Sequence, residues 1–301
     1  MTTRTISDNR ECIRCRKEKA PAKFFSSIPI CMECTPPLTV KSIKDYQTCA
    51  LLYNYRHIEN SYEPLGKRTL LDVRFENTLK KIASFFFYKR QAGITPSWSA
   101  LLNRWERLWF PKDMTAWDIM TDAQDPMHGN VAGYSADATA ALLKFHEFFS
   151  ADNSDALLID EPFLVQLSSS GMRLEGAFDL VLRSAKTKEY QVIKWLTRGQ
   201  KTQASDLLMD FAALKYAFDH RNSGRDIKRV TYGSYDLTAS AKSTIKVYDI
   251  EDTDVNALKY WAREAWEAEV FVPRRGLTSY CRSCPFDIPC SKFVITDEMV
   301  Q

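Results

Sequence analysis

Apolar residues recur along this chain with two different periods, and the change of period divides it. In RFENTLKKIASFFFYKR (residues 74–90) and SWSALLNRWERLWFPKDM they return every three or four residues, the spacing that lines one face of a helix. In the second segment Trp98, Leu101, Leu102, Trp105, Leu108 and Trp109 form one stripe, which predicts a core seam. A tryptophan left exposed there would instead offer a base-stacking surface. Further on, LLIDEPFLVQL and MRLEGAFDLVLRS alternate as half-buried strands do, and EYQVIKWLTRG reads as a third strand. DLLMDFAALKYAF then returns to helical spacing. The pattern predicts an α/β domain with its sheet around residues 157–250 and an inserted helical lobe at about 77–150.

Composition narrows the class of protein. A chain of 301 residues with 45% hydrophobic content can bury a large core and still carry an accessory module. No stretch approaches the ~18 apolar residues of a membrane span, and the polar start MTTRTISDNRE lacks the apolar core of a signal peptide. The expectation is a cytoplasmic protein with no membrane partner. A net charge of +3 permits a nucleic-acid partner without demanding one.

Eight cysteines add chemistry. Cys12, Cys15, Cys31 and Cys34 form two C-x2-C pairs separated by fifteen residues, a spacing that lets four thiolates converge on one zinc ion. Phe24 and Phe25 lie between the pairs and would form the core of a module at residues 1–38 too small to fold without metal. A pair of disulfides is the other reading, and an expected intracellular setting argues against it. The segment Thr35 to Lys41, with Pro36 and Pro37, reads as the linker to the main domain at 39–301. Arg14, Arg16, Lys17, Lys19 and Lys23 either contact phosphates or form a solvated face.

The remaining cysteines are far apart in sequence. Cys49 lies in SIKDYQTCALLYNYRHIE, which has helical spacing, whereas Cys281, Cys284 and Cys290 lie in YCRSCPFDIPCSKF. Brought together they would staple the two termini of one domain. Zinc and an iron–sulfur cluster both suit four thiolates, and free buried cysteines are the remaining possibility.

Two resemblances follow from these frames. C-x-x-C-x-x-x-K-x-x-x-x-F-F, beginning at Cys12, resembles the zinc ribbons at the N-termini of phage recombination endonucleases, which implies a phage origin. The order of a helix-borne cysteine, a sheet-containing core and C-x2-C-x5-C followed by Phe293 resembles the iron–sulfur branch of the RecB-like PD-(D/E)XK nucleases, including AddB and the CRISPR-adaptation nucleases. That resemblance implies a mixed central sheet and a structural [4Fe–4S] cluster on Cys49, Cys281, Cys284 and Cys290. It also implies carboxylates that hold Mg2+ or Mn2+ beside a DNA phosphate.

The catalytic pattern of that family is only partly present. Gly176 and Asp179 match its Gly-x-x-Asp strand, making Asp179 a metal-binding candidate; a solvated turn-proximal aspartate is the bland reading. Glu76 stands in the place of the histidine of His-x-x-Leu, three residues before Leu79, and is either a ligand or a surface acid. The (Asp/Glu)-x-Lys strand lacks its acid. If Lys194 is the lysine, Val192 holds the acid's place; if KWLTRG is aligned through Thr197, Lys194 replaces the acid and Leu196 the lysine. Tyr216 is kept from Gln-x-x-x-Tyr, but Ala212 replaces the glutamine. The losses favour a DNA-binding or scaffold protein of replication, recombination or transcription, with a protein partner and single-stranded or junction DNA. In it, Lys194 would pair directly with Asp179. The competing expectation is an active Mg2+- or Mn2+-dependent exonuclease that recruits Glu175 or Glu189 as the missing carboxylate.

Overall fold

The computed structural model describes residues 10–11, 17–19, 35–59, 70–110, 131–169, 171–197, 204–227, 229–238, 244–268, 271, 281, 284–286 and 290. Cys12, Cys15, Cys31, Cys34, Arg14, Arg16 and Lys23 lie outside these residues. The chain forms two compact units. Unit 1 comprises Met1–Pro64, Leu164–Gly176 and Asp252–Gln301, and unit 2 comprises Leu65–Phe163 and Ala177–Glu251.

The change of hydrophobic period is reproduced in the secondary structure, which has seven α-helices among the described residues. Two strands of two residues each, β1 (Arg10–Glu11) and β2 (Glu18–Lys19), pair antiparallel. Helices α1 (Val40–Thr48) and α2 (Ala50–Tyr53) lead into a π-helical turn at Asn54–Ile58. Next come α3 (Leu70–Gln91), α4 (Trp98–Trp109) and α5 (Val131–Ser150). Five strands follow, β3 (Asp155–Gln166), β4 (Arg173–Arg183), β5 (Tyr190–Leu196), β6 (Val230–Asp236) and β7 (Lys246–Tyr248). Helix α6 (Ala204–Arg221) joins β5 to β6, and α7 (Asp252–Glu267) closes the series.

The sheet runs β3-β4-β5-β6-β7 and is mixed. β4–β5 and β6–β7 are antiparallel, whereas β5 and β6, joined by α6, are parallel. A parallel pair needs a crossover long enough to return the chain to its starting end, and α6 supplies it. In unit 2 the sheet is covered on both faces. Leu180, Leu182, Ile193, Trp195 and Tyr235 point into a core shared with α3, α4 and α5. On the other face α6 packs through Phe211 against Tyr232 and Tyr248, with Phe218 against Tyr190.

The core on the helical side is mostly aromatic. Phe87 meets Phe86, Phe145, Phe149 and Trp195 within 6.2 Å between ring centroids, and Trp105 stacks on Trp109 at 5.0 Å. Edge-to-face and offset contacts of this kind add to area burial because each ring presents a positive edge to a negative face. The stripe on α4 is therefore a core seam: Leu101, Trp105 and Trp109 are buried, and Trp98, Leu102 and Leu108 pack against them.

Two local expectations change in unit 1. The stretch from Thr35, read as a linker, is packed in place. Leu38 is buried and bridges Leu174, donating its N–H to Arg173 O and accepting from Glu175 N. Thr39 then caps α1, its hydroxyl accepting from Ser42 N while the Ser42 hydroxyl accepts from Thr39 N. The helix expected through Cys49 is broken there, because Cys49 adopts extended backbone (φ −165°, ψ 120°) that ends α1 and starts α2.

The aromatic core predicts a sharp asymmetry. Phe87→Ala should cost about 3–5 kcal/mol, since a ring lost from a close-packed site leaves a cavity, whereas Tyr260→Ala, at a side chain 52% exposed, should shift stability by less than about 0.5 kcal/mol. Urea unfolding of both variants checks this.

Candidate functional site

Charged side chains from five elements of unit 2 meet at one end of β4 and β5. The antiparallel pairing runs from Arg183 opposite Tyr190 to Leu180 opposite Ile193, so the next residues toward that end are Asp179 and Lys194. Residues opposite one another across an antiparallel pair share a face. The register thus puts the carboxylate and the ammonium side by side. Asp179 is anchored further by the backbone N–H of Trp195, which donates to its Oδ2 at 2.9 Å.

Lys194 makes its direct ion pair with Asp210 of α6, Nζ to Oδ1 at 3.1 Å, rather than with Asp179. The expected Lys194–Asp179 contact is therefore corrected in its partner. The reason lies in the layering: α6 covers the face from which Lys194 projects and carries an acid within reach of the long side chain, while Asp179 is held back by the Trp195 amide. Lys194 still lies within electrostatic range of Asp179.

Both groups feel their surroundings strongly. Burial pushes the Asp179 carboxyl above the ordinary aspartate range, and Asp160 adds to the rise, while Lys194, Lys80 and the Trp195 amide pull against it. Burial disfavours the charged form of Lys194, but Asp210 and Asp179 outweigh it and hold its pKa above the ordinary lysine value. The cluster is therefore wider than the sequence suggested. Asp160 of β3 accepts a short hydrogen bond from the Ser84 hydroxyl of α3 and has a positive φ of 49°. Lys80 and Ser84 lie four residues apart on α3, with Glu76 another four back, so the three share one helical face. Glu76 is buried.

The substitute carboxylates considered from sequence have other neighbours. Glu189 lies five residues from Lys194 along the strand, about 17 Å away at the usual rise, where it accepts from the Thr187 hydroxyl and pairs with Arg229 at 3.8 Å. Glu175 belongs to unit 1 and lines a cavity of about 170 Å3 with Tyr53 and His57. Val192, at the acid's position in one register, is fully buried, and Leu196, at the lysine's in the other, is half-buried. Asp210 was missed from sequence, although an acid between Met209 and Phe211 in an apolar helix signals a buried partner. Asp160 carried no comparable signal.

The sequence between Leu38 and Cys290 also matches a known family. The model of the PD-(D/E)XK nuclease superfamily matches residues 37–291. The chain belongs to the PD-(D/E)XK nuclease superfamily. Among solved structures, it is similar to a putative exonuclease from Eubacterium rectale, at 10% identity and a TM-score of 0.44, covering 88% of this chain and 92% of that one. It is also similar to SSO0001, at 12% identity and a TM-score of 0.34, covering 75% of this chain and 98% of that one. No curated protein matches it.

In unit 1 the cysteines at 49, 281, 284 and 290 form no disulfide and are half-buried. Burial raises the Cys284 pKa, the neighbouring Cys49 and Cys290 raise it further, and the Phe286 amide and the Arg56 charge pull it down. The π-helical turn meets this segment through Tyr55 and Phe286, 5.2 Å between ring centroids. Arg56 and His57 are both tied to Asp45 at 2.8 Å. Among the described residues no three His, Cys, Asp or Glu side chains converge in an arrangement that holds a metal ion. The four thiols are nevertheless donors of the chemistry that zinc and iron–sulfur sites use. No described helix is long and apolar enough to cross a membrane.

The raised Asp179 pKa has a sign that experiment can read. The folded state takes up this proton at higher pH than the unfolded chain, so the group's contribution to stability falls as pH rises from about 3.9 through the raised value. Asp179→Asn removes that dependence. Urea unfolding between about pH 4 and 7 should show the variant gaining on the wild type as pH rises; a difference independent of pH would overturn the assignment.

Proposed function

We propose that this member of the superfamily binds nucleic acid without hydrolysing it, with Lys194 taking over the electrostatic role of the divalent ion beside Asp179. The observation that carries this reading is the Lys194–Asp210 ion pair at 3.1 Å within electrostatic range of Asp179. A lysine ammonium there neutralises the carboxylates that would otherwise recruit Mg2+ and repels a second cation a few ångströms away. Such a protein serves replication, recombination or transcription as a DNA-binding or scaffold factor, in contact with single-stranded or junction DNA and a protein partner. The fold itself argues only for a nucleic-acid-related role.

A second reading rests on a different observation. Asp160 acts on Asp179, and Asp210 on the adjoining Lys194, together enough carboxylates for a Mg2+- or Mn2+-dependent exonuclease if Lys194 swings aside as the catalytic lysine. Degradation of labelled single-stranded DNA with either ion separates the two. The non-hydrolytic reading expects no cleavage, and it expects Lys194→Ala to lose about 1–3 kcal/mol, between the values of exposed and buried pairs, with little rescue by Mg2+. Cleavage by the wild type that disappears in Asp179→Ala, together with a stable but inactive Lys194→Ala, would establish the exonuclease instead.

We further infer that Cys49, Cys281, Cys284 and Cys290 hold a [4Fe–4S] cluster and that Cys12, Cys15, Cys31 and Cys34 hold one zinc ion in a phage-type ribbon, in a protein of the host cytoplasm. The support is that none of the four described thiols is in a disulfide, that Cys49 and Cys290 lie close enough to Cys284 to act on it electrostatically, and that thiol donors are the ligands such clusters use. Anaerobically purified protein should contain about one zinc and four irons per chain and be brown. Two zinc ions and no iron would sink the cluster. Cys281→Ser should lower the stability of the main domain, and Cys31→Ser that of the front module alone.

A further inference from the structure

We propose that a polar cavity on α3 and α4 is a phosphate-binding site that grips the backbone of a single-stranded nucleic acid, a proposal that rests on the nucleic-acid-binding reading and gives it a location. The cavity, of about 330 Å3, lies within unit 2 and is lined by Val73, Arg74, Asn77, Thr78, Lys81 and Leu108. Its four polar residues come from α3 at positions i, i+3, i+4 and i+7, one continuous helical face. The opposite side of the same helix, with Phe75, Leu79, Ile82, Phe86 and Phe87, is in the core, so the polar face is held rigidly outward.

The Arg74 charge in this cavity is held in position. The Arg74 guanidinium donates to Trp109 O at 2.8 Å and to Leu108 O at 3.5 Å, and lies 5.6 Å from the centre of the Trp109 ring. Carbonyls and a ring fix its orientation without supplying a negative charge. Among the described residues neither Arg74 nor Lys81 has an acidic partner. Two cations flanked by an amide and a hydroxyl are the donor set that a phosphodiester takes, from side chains that position a strand without reading its sequence.

Size and walls favour a nucleotide unit over a bare ion. The volume is at the small end of ligand pockets, enough for a phosphate with its sugar, and Val73 and Leu108 give the sugar an apolar wall. Phe110, two residues beyond Leu108, is 46% exposed, a ring on which a base can stack. A free phosphate compound shares the same chemistry, so the test includes one.

The experiment measures fluorescence anisotropy of a labelled oligothymidylate of about 20 nucleotides against salt concentration, with pyrophosphate binding followed separately by calorimetry. Lys81→Glu is the main variant because Lys81 is exposed and outside the core, and Lys81→Arg is its conservative control. The expected result is a loss of about tenfold or more in oligonucleotide affinity for Lys81→Glu, a salt slope smaller by about one, near-normal binding for Lys81→Arg, and equal melting temperatures. Oligonucleotide binding with unchanged affinity and slope in Lys81→Glu would overturn the cavity and leave the nucleic-acid reading standing. Pyrophosphate binding that Lys81→Glu abolishes, without any oligonucleotide binding by the wild type, would keep a phosphate site but overturn its assignment to a nucleic-acid backbone. Binding of neither probe would overturn both.

Discussion

The antiparallel register of β4 and β5 is the constraint on which the candidate site depends. It places Asp179 opposite Lys194, and because side chains alternate with a period of two, a slip of one residue would send both to the other face of the sheet. With that register set, α6 can lie over the same face only by bringing Asp210 against Lys194. A desolvated carboxylate is disfavoured in its charged form, and at Asp179 the lysines and the single Trp195 amide offset only part of that cost.

Trp195 couples this polar cluster to the apolar core. Its ring lies among Phe87, Phe145, Phe149 and Tyr235, while its backbone N–H holds Asp179. Packing on one face of β5 therefore fixes the geometry of charges on the other, since a strand cannot move its side chain without moving its amide. The same logic governs α3, whose buried aromatic face fixes the polar face carrying Arg74, Asn77 and Lys81. Rigid elements position charges more closely than loops do, and such placement is what recognition of a charged ligand requires.

In unit 1 the organising feature is the interruption at Cys49. Extended backbone at this residue turns a predicted continuous helix into α1, α2 and a π-helical turn, and that turn carries Tyr55 and Arg56 to the segment of Cys284 and Phe286. Irregular helix of this kind is uncommon and is found disproportionately at functional sites. Asp45 fixes Arg56 and His57 together, so the positive charge felt by Cys284 is held by a neighbour rather than left to a free side chain.

The hydrophobic periods by themselves determined the succession of helices and strands and the core role of the α4 stripe, because those properties depend on residues a few places apart. The resemblance to the superfamily, carried by a cysteine frame from Cys49 to Cys290 and by short strand motifs, is what singled out Asp179 and Lys194. What the tertiary structure alone decided are the contacts between elements distant in sequence: the pairing of Lys194 with Asp210, the arrival of Asp160 and Lys80 beside Asp179, and the pairing of Glu189 with Arg229. The helix break at Cys49 also lay beyond the sequence, because its spacing fits an unbroken helix while the surrounding packing selects an extended backbone at one position. Periodicity states which face a residue occupies, but the identity of the group waiting on that face depends on crossover length, sheet order and register, which arise only when the whole chain packs.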